Sequence, residues 1–401
     1  MIEIVAKLVR EQTPVFLCGE SVELFISFTN PSLAEHRIAQ SNNDILENLA
    51  WATGQIHCYR SSTDTDKPTD YSQIFSAETA LNASSHGQGN VVLATEPKIL
   101  FCDLRLAVGE SKSYLFKEVL PMSSPPTYRG IGIKYFYKLT IATQRVGSKV
   151  QILRVPIRVL SLPTVIRSDD VPALCNETNE ELAPTNPFLE KRKTETKLEI
   201  ALHHLQNITA RRRPNFYLIS NKRGRVGRFC LFKPVYKLGE DIVGTLDFTC
   251  RTVRCVQVSV TLQCEEILLS KQSKGGATPK STDDSSNSSQ QTAEVSGKIM
   301  NFTKHHEVCV GLLQTQMILP VPLHVTPSFS TPLVDVRWRL HFEFVTSTSE
   351  SLTPLHVDEN NWQAPVDIPI ETMVWNLPIT LYPTSPMQIL QQSGKHSLII
   401  K

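Results

Sequence analysis

The feature of this sequence that most constrains its fold is a pattern that occurs twice. PVFLCGESV at 14–22 is echoed by PVYKLGEDI at 234–242, at an offset of 220 residues. Two further pairs of similar segments follow in the same order, 133–141 with 334–342 and 155–157 with 377–379. Similar blocks in the same order predict two tandem domains of one fold, each about the size of a β-sandwich.

The repeated regions alternate apolar and polar residues, which is typical of strands. Every second residue is apolar in 256–264, and 334–344 alternates in the same way. A period of two leaves one strand face buried and the other in water, as in an antiparallel sandwich rather than an α/β sheet. The predicted fold class is therefore all-β. Tyr137 and Trp338 lie on the apolar side at matching positions, so both are expected to be buried. The residues of the second segment predicted to face outward are Asp335, Arg337, Arg339, His341 and Glu343.

The composition along the chain divides it into four parts. We expect an N-terminal β-sandwich at 1–165, a linker at 166–213, a C-terminal β-sandwich at 214–386 and a flexible tail at 387–401. Within the second sandwich, 271–297 consists of Ser, Thr, Gln and Asn with almost no apolar residue. Such a segment buries too little surface to offset its ordering entropy, so it is expected to be disordered.

The linker contains one helical pattern. Apolar residues recur at helical spacing between about 194 and 210, and Pro214 ends the stretch. This predicts an amphipathic helix whose apolar stripe packs either in the groove between the two domains or against a partner subunit. The residues of the stripe are Leu198, Ala201, Leu202, Leu205 and Ile208.

Charge and cysteine content exclude several classes of protein. The net charge of +2 argues against nucleic acid as the main partner. Glu3 and Lys7 interrupt the opening apolar run, so no signal peptide is expected, and no run approaches the length needed to span a bilayer. The nine cysteines lack C-x-x-C spacing, and Cys58 and Cys264 fall on the inward side of strand patterns. Buried, reduced thiols in a cytoplasmic protein are expected.

The sequence lacks the motifs of common enzyme classes. Neither a nucleophile elbow, nor a zinc-protease helix, nor a P-loop is present. The adjacent pairs His203-His204 and His305-His306 cannot form two-point metal sites, because neighbouring side chains point in different directions on a helix or strand. The glycine-containing segment 221–228 resembles a phosphate-binding loop only superficially, and a basic hairpin turn is favoured. No catalytic residue, metal or cofactor is therefore expected.

Six basic residues flank the predicted helix. Seven Lys or Arg against three Glu lie between Glu190 and Arg213, and about four net charges near an anionic leaflet give only millimolar affinity. A membrane-facing patch that orients a complex and an ordinary solvated helix face both remain open. The residues of this basic patch are Lys191, Arg192, Lys193, Arg211, Arg212 and Arg213.

Pro125-Pro126-Thr127-Tyr128 matches the PPxY motif that WW domains bind. Binding requires an exposed polyproline segment. Because the motif lies three residues before a predicted strand, a structural turn is favoured over a ligand for WW domains.

Several longer motifs resemble one family. The two Gly-Glu blocks are similar to the opening strand pair of arrestin-like domains. EPKILFCDLRL at 96–106, GESKSY at 109–114, GEDIVGTL at 239–246, WRLHFEFVTS at 338–347 and PTSP at 383–386 together closely resemble the Rgp family. Its members are the smaller, arrestin-like subunits of the Ric–Rgp complex. The resemblance extends over nearly the whole of 1–386.

The resemblance implies a function without catalytic residues. A member of this family is a scaffold in a two-subunit guanine-nucleotide exchange factor that activates a Golgi Rab GTPase in retrograde endosome-to-Golgi and intra-Golgi transport. Its partners are a large β-propeller and solenoid Ric subunit and the GTPase, with peripheral contact to an anionic membrane. The implied location is the cytoplasm, peripherally at the Golgi membrane. An arrestin-like cargo adaptor that recruits ubiquitin or sorting machinery is the alternative.

Overall fold

A computed structural model describes residues 2–9, 14–31, 46–62, 90–162, 197–269, 297–348, 368–386 and 396–400. The predicted loop 271–297, except Gly297, lies outside these residues, as does most of the predicted linker. The described part of the chain consists of strands and one helix, α1 (Lys197–Ala210), which confirms the all-β prediction. The predicted helix positions 194–196 precede the described residues.

The strands follow the alternation seen in the sequence. In chain order they are β1 (Ile2–Leu8), β2 (Val15–Leu17), β3 (Ser21–Thr29), β4 (Glu47–Ser62), β5 (Asn90–Ala94), β6 (Lys98–Leu106), β7 (Ser111–Val119), β8 (Tyr128–Arg129), β9 (Ile133–Arg145), β10 (Gln151–Leu160), β11 (Asn215–Asn221), β12 (Gly224–Leu231), β13 (Val235–Lys237), β14 (Asp241–Asp247), β15 (Cys255–Leu268), β16 (Lys298–Val308), β17 (Gln314–Pro320), β18 (Phe329–Ser330), β19 (Val334–Ser347), β20 (Ile370–Tyr382) and β21 (His396–Ile400).

These strands form four sheets with a repeated topology. Sheet I has the order β21-β1-β3-β7, and sheet III has the corresponding order β11-β12-β14-β17. Sheet II has the order β2-β10-β9-β4-β5, with β6 on β4 and β8 on β9. Sheet IV repeats this as β13-β20-β19-β15-β16, with β18 on β19. The echoed sequence blocks therefore correspond to one strand topology used twice.

The repeat extends to individual positions of the ladders. Tyr137 lies opposite Cys58 on β4 and Ile157 on β10. Trp338 lies opposite Cys264 and Ile379 on the corresponding strands β15 and β20. Tyr137 is 1% exposed and Trp338 is 2% exposed, which confirms that both are buried. Cys58 and Cys264 are buried with free thiols, also as predicted.

The Gly-Glu pairs are explained by one turn that occurs three times. Gly19, Gly109 and Gly239 have φ angles of 85°, 83° and 83°, in the left-handed region that favours glycine. In each turn the carboxylate of the following glutamate accepts a hydrogen bond from the backbone N–H three residues earlier, at 2.8 Å, 2.9 Å and 3.0 Å. Glycine supplies the conformation and glutamate satisfies a turn amide. The glutamates are Glu20, Glu110 and Glu240.

The two sheets of each half pack face to face through aromatic residues. The rings of Phe28 on β3 and Phe101 on β6 are 5.0 Å apart and nearly perpendicular. Phe229 on β12 packs against Phe342 on β19 at 4.9 Å and against Trp375 on β20 at 6.1 Å. Edge-to-face geometry is the arrangement that aromatic pairs prefer.

The chain forms two compact units. Unit 1 comprises Met1–Ala210, Leu323–Pro327 and Tyr382–Lys401, and unit 2 comprises Arg211–Pro322 and Ser328–Leu381. Helix α1 thus belongs to unit 1 rather than to a separate linker. Its residues Leu198 and Leu202 pack on the buried cluster of Val15, Leu17 and Leu160, so its apolar stripe is covered by its own chain.

A short segment from the second half of the sequence also belongs to unit 1. The guanidinium of Arg158 donates to the carbonyls of Leu323 and Val325 at 3.1 Å and 2.9 Å. The Thr326 hydroxyl donates to the carbonyl of Thr127 at 3.0 Å. These bonds connect residues more than 160 positions apart, a pairing that alternation in the sequence does not reveal.

The C-terminal residues differ from the predicted flexible tail. His396–Ile400 form β21, which pairs antiparallel with β1 from Ile2↔Ile400 to Ala6↔His396. β21 adds to the edge of β1 opposite β3, and Ile399 and Ile400 are β-branched residues that strands favour. The polar composition of 387–397 concealed this short strand.

Candidate functional site

Among the described residues there is no cluster of three or more His, Cys, Asp and Glu side chains able to hold a metal ion. His203 and His204 are exposed on α1, and His305 and His306 lie at successive positions of β16. Nor do the described residues include a helix with the length and apolar character of a membrane span.

The predicted basic patch is described only in its second half. Arg211, Arg212 and Arg213 are exposed in the irregular segment between α1 and β11. Lys191, Arg192 and Lys193 lie outside the described residues.

The PPxY sequence is a structural turn. Tyr128 is 5% exposed and begins β8, where it pairs with Tyr135. Thr127 exchanges two hydrogen bonds with Val159, one through its backbone N–H at 2.7 Å and one through its hydroxyl at 2.9 Å. The Tyr137 hydroxyl donates to the carbonyl of Pro125 at 2.6 Å. In this conformation the motif is not accessible to a WW domain, so the cargo-adaptor alternative has lost the sequence feature that favoured it.

The glycine-containing segment 221–228 is the predicted basic hairpin turn. Asn221 and Gly224 face each other at the end of the β11–β12 ladder. The Asn221 side-chain carbonyl accepts from the backbone N–H groups of Arg223 and Gly224 at 2.9 Å and 3.1 Å. The Arg223 guanidinium donates to the carbonyl of Ser347 and to the carboxylate of Glu371, which links the hairpin to β19 and β20.

The face of sheet IV opposite its apolar core carries an ordered polar network, which we call the polar face; its members Ser259 and Gln263 are only 1% and 7% exposed. Its residues on four adjacent strands are Ser259, Gln263, Glu265, Asn301, Arg339, His341, Glu343 and Asn376. At its centre, Arg339 donates to the Gln263 carbonyl at 2.9 Å, and the Gln263 amide donates to Asn301 at 3.0 Å. Arg339 also lies 3.8 Å from the carboxylate of Glu265. The side chains are thus held by one another before any partner binds.

A second group of bonds completes the polar face. The Ser259 hydroxyl donates to Glu343 at 3.0 Å, and this bond, with a smaller contribution from His341, holds the pKa of Glu343 below its ordinary value. His341 Nε2 lies 3.5 Å from Glu343, and its Nδ1 lies 2.7 Å from the Asn376 side-chain oxygen. Sequence alternation predicted that Arg339, His341 and Glu343 face outward, but it did not indicate their cross-strand partners.

The corresponding face of sheet II is buried. His57, the counterpart of Gln263 in the repeat, is 0% exposed, and its ring stacks on Tyr59 at 5.8 Å. The Lys138 ammonium lies 5.7 Å from the Tyr59 ring centroid. Among the described residues, neither ring nitrogen of His57 has a hydrogen-bond partner. Burial, together with the charge of Arg154, lowers the pKa of His57 to about 4, so the ring is neutral near pH 7.

The polar face ends at an edge strand. In the order of sheet IV, β16 (Lys298–Val308) is the last strand, and it pairs with β15 on one side. Its outward-facing Lys304 and His306 lie opposite Thr261 and Ser259. A terminal strand presents backbone groups that an extended peptide can pair with. The polar face and this edge together form a surface suited to an extended polar segment.

Comparison with known proteins agrees with the resemblance seen in the motifs. The Rgp1 family model matches residues 30–165 and 164–347. RAB6A-GEF complex partner protein 2 of Homo sapiens is 41% identical over 403 residues, with 96% of each chain covered. The protein of the same name from Bos taurus is 41% identical over 397 residues, covering 94% of this chain and 93% of its own. This chain belongs to the Rgp1 family.

Proposed function

We propose that this chain is a non-catalytic subunit of a two-subunit guanine-nucleotide exchange factor that activates a Golgi Rab GTPase. The observation that carries the proposal is 41% identity, over 96% of both chains, to a human relative named as a partner in a RAB6A exchange-factor complex. The large subunit, a β-propeller followed by a helical solenoid, engages the nucleotide-binding domain of the GTPase. The complex acts in retrograde endosome-to-Golgi and intra-Golgi transport.

Nucleotide exchange needs no covalent chemistry. An exchange factor binds the nucleotide-free GTPase more tightly than the nucleotide-bound form, and this difference in affinity drives release. A chain that offers an ordered polar network and a terminal strand such as β16 is suited to positioning a GTPase. In this proposal the present chain positions the GTPase and the large subunit releases the nucleotide. Side chains already ordered by hydrogen bonds, as in the polar face, suit the positioning role.

The GTPase is positioned by its flexible C-terminal segment. We assign the capture of this segment to the edge of β16, beside the polar face. Backbone pairing along 298–302 supplies affinity with little sequence demand, and the side chains of Arg339 and Lys304 select among Rab tails. The six-residue basic patch at 191–193 and 211–213 faces the anionic membrane and orients the complex.

The first test asks whether this chain alone accelerates nucleotide exchange. Release of a fluorescent nucleotide from the Golgi Rab is measured with this chain alone, with the large subunit alone and with both. We expect acceleration by the two-subunit complex and none by this chain. Acceleration by this chain alone would overturn the scaffold assignment.

The second test concerns the tail. A Rab chimera with the native globular domain and a foreign C-terminal segment is compared with the native GTPase as a substrate for the complex. We expect slower exchange on the chimera and a matching decrease when Met300→Pro removes one backbone donor from the β16 edge strand. Ile318→Pro on β17, at the edge of sheet III, is the matched control. Equal rates on the native and chimeric substrates would contradict tail capture.

A further inference from the structure

The charged side chains of the segment 211–233 are all basic. It contains eight Lys or Arg residues and no Asp or Glu, although the whole chain has a net charge of only +2. The segment begins with Arg211, Arg212 and Arg213 and continues through β11, a tight turn and β12. We call it the basic hairpin. Such a concentration in a nearly neutral protein makes this hairpin a local source of positive potential.

Three of the eight cations form ion pairs, and the other five are exposed. Arg223, Arg228 and Lys233 form ion pairs with Glu371, Asp247 and Glu240 at 3.2 Å, 2.9 Å and 2.7 Å. The remaining five are exposed: Arg211, Arg212, Arg213, Lys222 and Arg225. Acidic partners offset the charge of the three paired cations, so the other five cations provide most of the positive potential of the hairpin.

The hairpin also presents large apolar side chains to solvent. Phe216 and Leu218 occupy alternate positions of β11 and are 64% and 60% exposed. The Arg228 guanidinium lies 5.5 Å from the Phe216 ring centroid, and Arg228 is the cross-strand neighbour of Leu218. Ile318, at the opposite edge of the same sheet, is 49% exposed. Edge strands usually avoid exposed apolar residues because they invite association.

Exposed cations beside exposed aromatic and aliphatic side chains match one kind of partner. A lipid surface with anionic headgroups attracts the cations, and its interfacial region accepts Phe and Leu side chains. The structure assigns the basic hairpin as a membrane-docking surface that uses Phe216 and Leu218 as apolar anchors. The assignment deepens the proposed function, because it rests on a membrane-oriented complex and names the residues that enter the lipid interface.

The apolar anchors contribute binding that persists when salt screens the charges. Each Lys or Arg near an anionic leaflet increases binding about fivefold, and this gain falls as salt screens it. Burial of apolar surface is not screened in this way. We therefore expect that binding has a salt-sensitive part from the arginines and a salt-resistant part from Phe216 and Leu218.

The test uses the two-subunit complex and vesicle flotation. The vesicles are phosphatidylcholine alone or phosphatidylcholine with phosphatidylserine, at low and high salt. We expect Phe216→Ser with Leu218→Ser to reduce binding to the anionic vesicles about tenfold or more and to remove the salt-resistant part. Arg211→Ser, Arg212→Ser and Arg213→Ser together should reduce low-salt binding about 100-fold, as three independent charges predict.

The repeat provides the matched control. Phe25 and Leu115 lie opposite each other on sheet I, the counterpart of sheet III, and are 46% and 51% exposed. Phe25→Ser with Leu115→Ser removes a similar apolar pair from a surface without the basic hairpin, so vesicle binding should not change.

Three outcomes would overturn the assignment. The anchor variant could bind vesicles as the wild type does. The control variant could lose as much binding as the anchor variant. The anchor variant could also lose the large subunit on co-purification, which would make the hairpin a protein interface. Nucleotide exchange in solution is measured in parallel. If the wild-type complex shows no nucleotide exchange in solution, the proposed function is wrong. The membrane assignment is judged by the vesicle-binding results alone.

Discussion

The buried imidazole of His57 should make unit 1 sensitive to mild acid. Its pKa is lowered from 6.5 to about 4, so the unfolded chain takes up a proton before the folded chain does. The stability from neutral His57 is therefore fully present above about pH 6.5 and is lost as the pH falls towards about 4. At 1.36 kcal/mol per unit of pKa difference, the full loss is about 3 kcal/mol, of which about 2 kcal/mol has gone by about pH 5.

This prediction is tested by replacing His57 with the residue found at the matching position of the repeat. His57→Gln keeps a polar side chain of similar reach, as Gln263 does in sheet IV, and removes the titration. The free energy of opening of β4 and β9 is measured by amide hydrogen exchange, with correction for the intrinsic pH dependence of exchange. Between about pH 7 and about pH 5, the variant should lose about 2 kcal/mol less than the wild type. His204→Gln, at an exposed histidine on α1, is the control and should retain the wild-type dependence. An unchanged pH dependence in His57→Gln would refute the reasoning that burial depresses this pKa.

Further predictions concern core packing, two glycine turns and the segment 323–327, which belongs to unit 1. Trp338→Ala should destabilise unit 2 by about 3–5 kcal/mol in urea unfolding, because it removes a buried aromatic ring; a cost below about 1 kcal/mol would contradict the packing. Gly109→Ala should cost about 1–2 kcal/mol from its left-handed backbone alone, since a Cβ there meets nothing within 4 Å. Gly19→Ala should cost more, because the same Cβ would overlap the Met122 sulfur, and equal melting temperatures for the two variants would exclude that contact. Arg158→Ala should increase hydrogen exchange in 323–327 and leave exchange in β14 unchanged.

The repeated ladder positions were predictable because β-strand geometry is local. A period of two fixes which side chains face the core, and two copies of the pattern fix which positions correspond. Tyr137 and Trp338 could therefore be matched without coordinates. The Gly-Glu pairs were recognisable as turns, because a left-handed backbone and a carboxylate that caps an amide three residues earlier are both properties of neighbouring residues.

The sites required the tertiary structure because their partners are distant in sequence. The polar face depends on bonds such as that between Gln263 and Arg339, and the sequence showed only that alternate residues of β19 face outward. His57 and its counterpart Gln263 are both buried, but Gln263 is hydrogen-bonded to Asn301 and Arg339, whereas no described residue bonds the ring nitrogens of His57. Composition suggested a loose tail, yet His396–Ile400 pair with β1, because a free strand edge stabilises even a short segment that reaches it.

For the basic hairpin too, the sequence determines some features and the tertiary structure determines others. The sequence alone determined the excess of cations in 211–233 and the alternation that places Phe216 and Leu218 on one face of a strand. Only the tertiary structure decided that Arg223, Arg228 and Lys233 are held by acids 148, 19 and 7 residues away, while five other cations remain exposed. Charge is a property of composition, but whether a charge is neutralised depends on which distant side chains folding brings within a few ångströms.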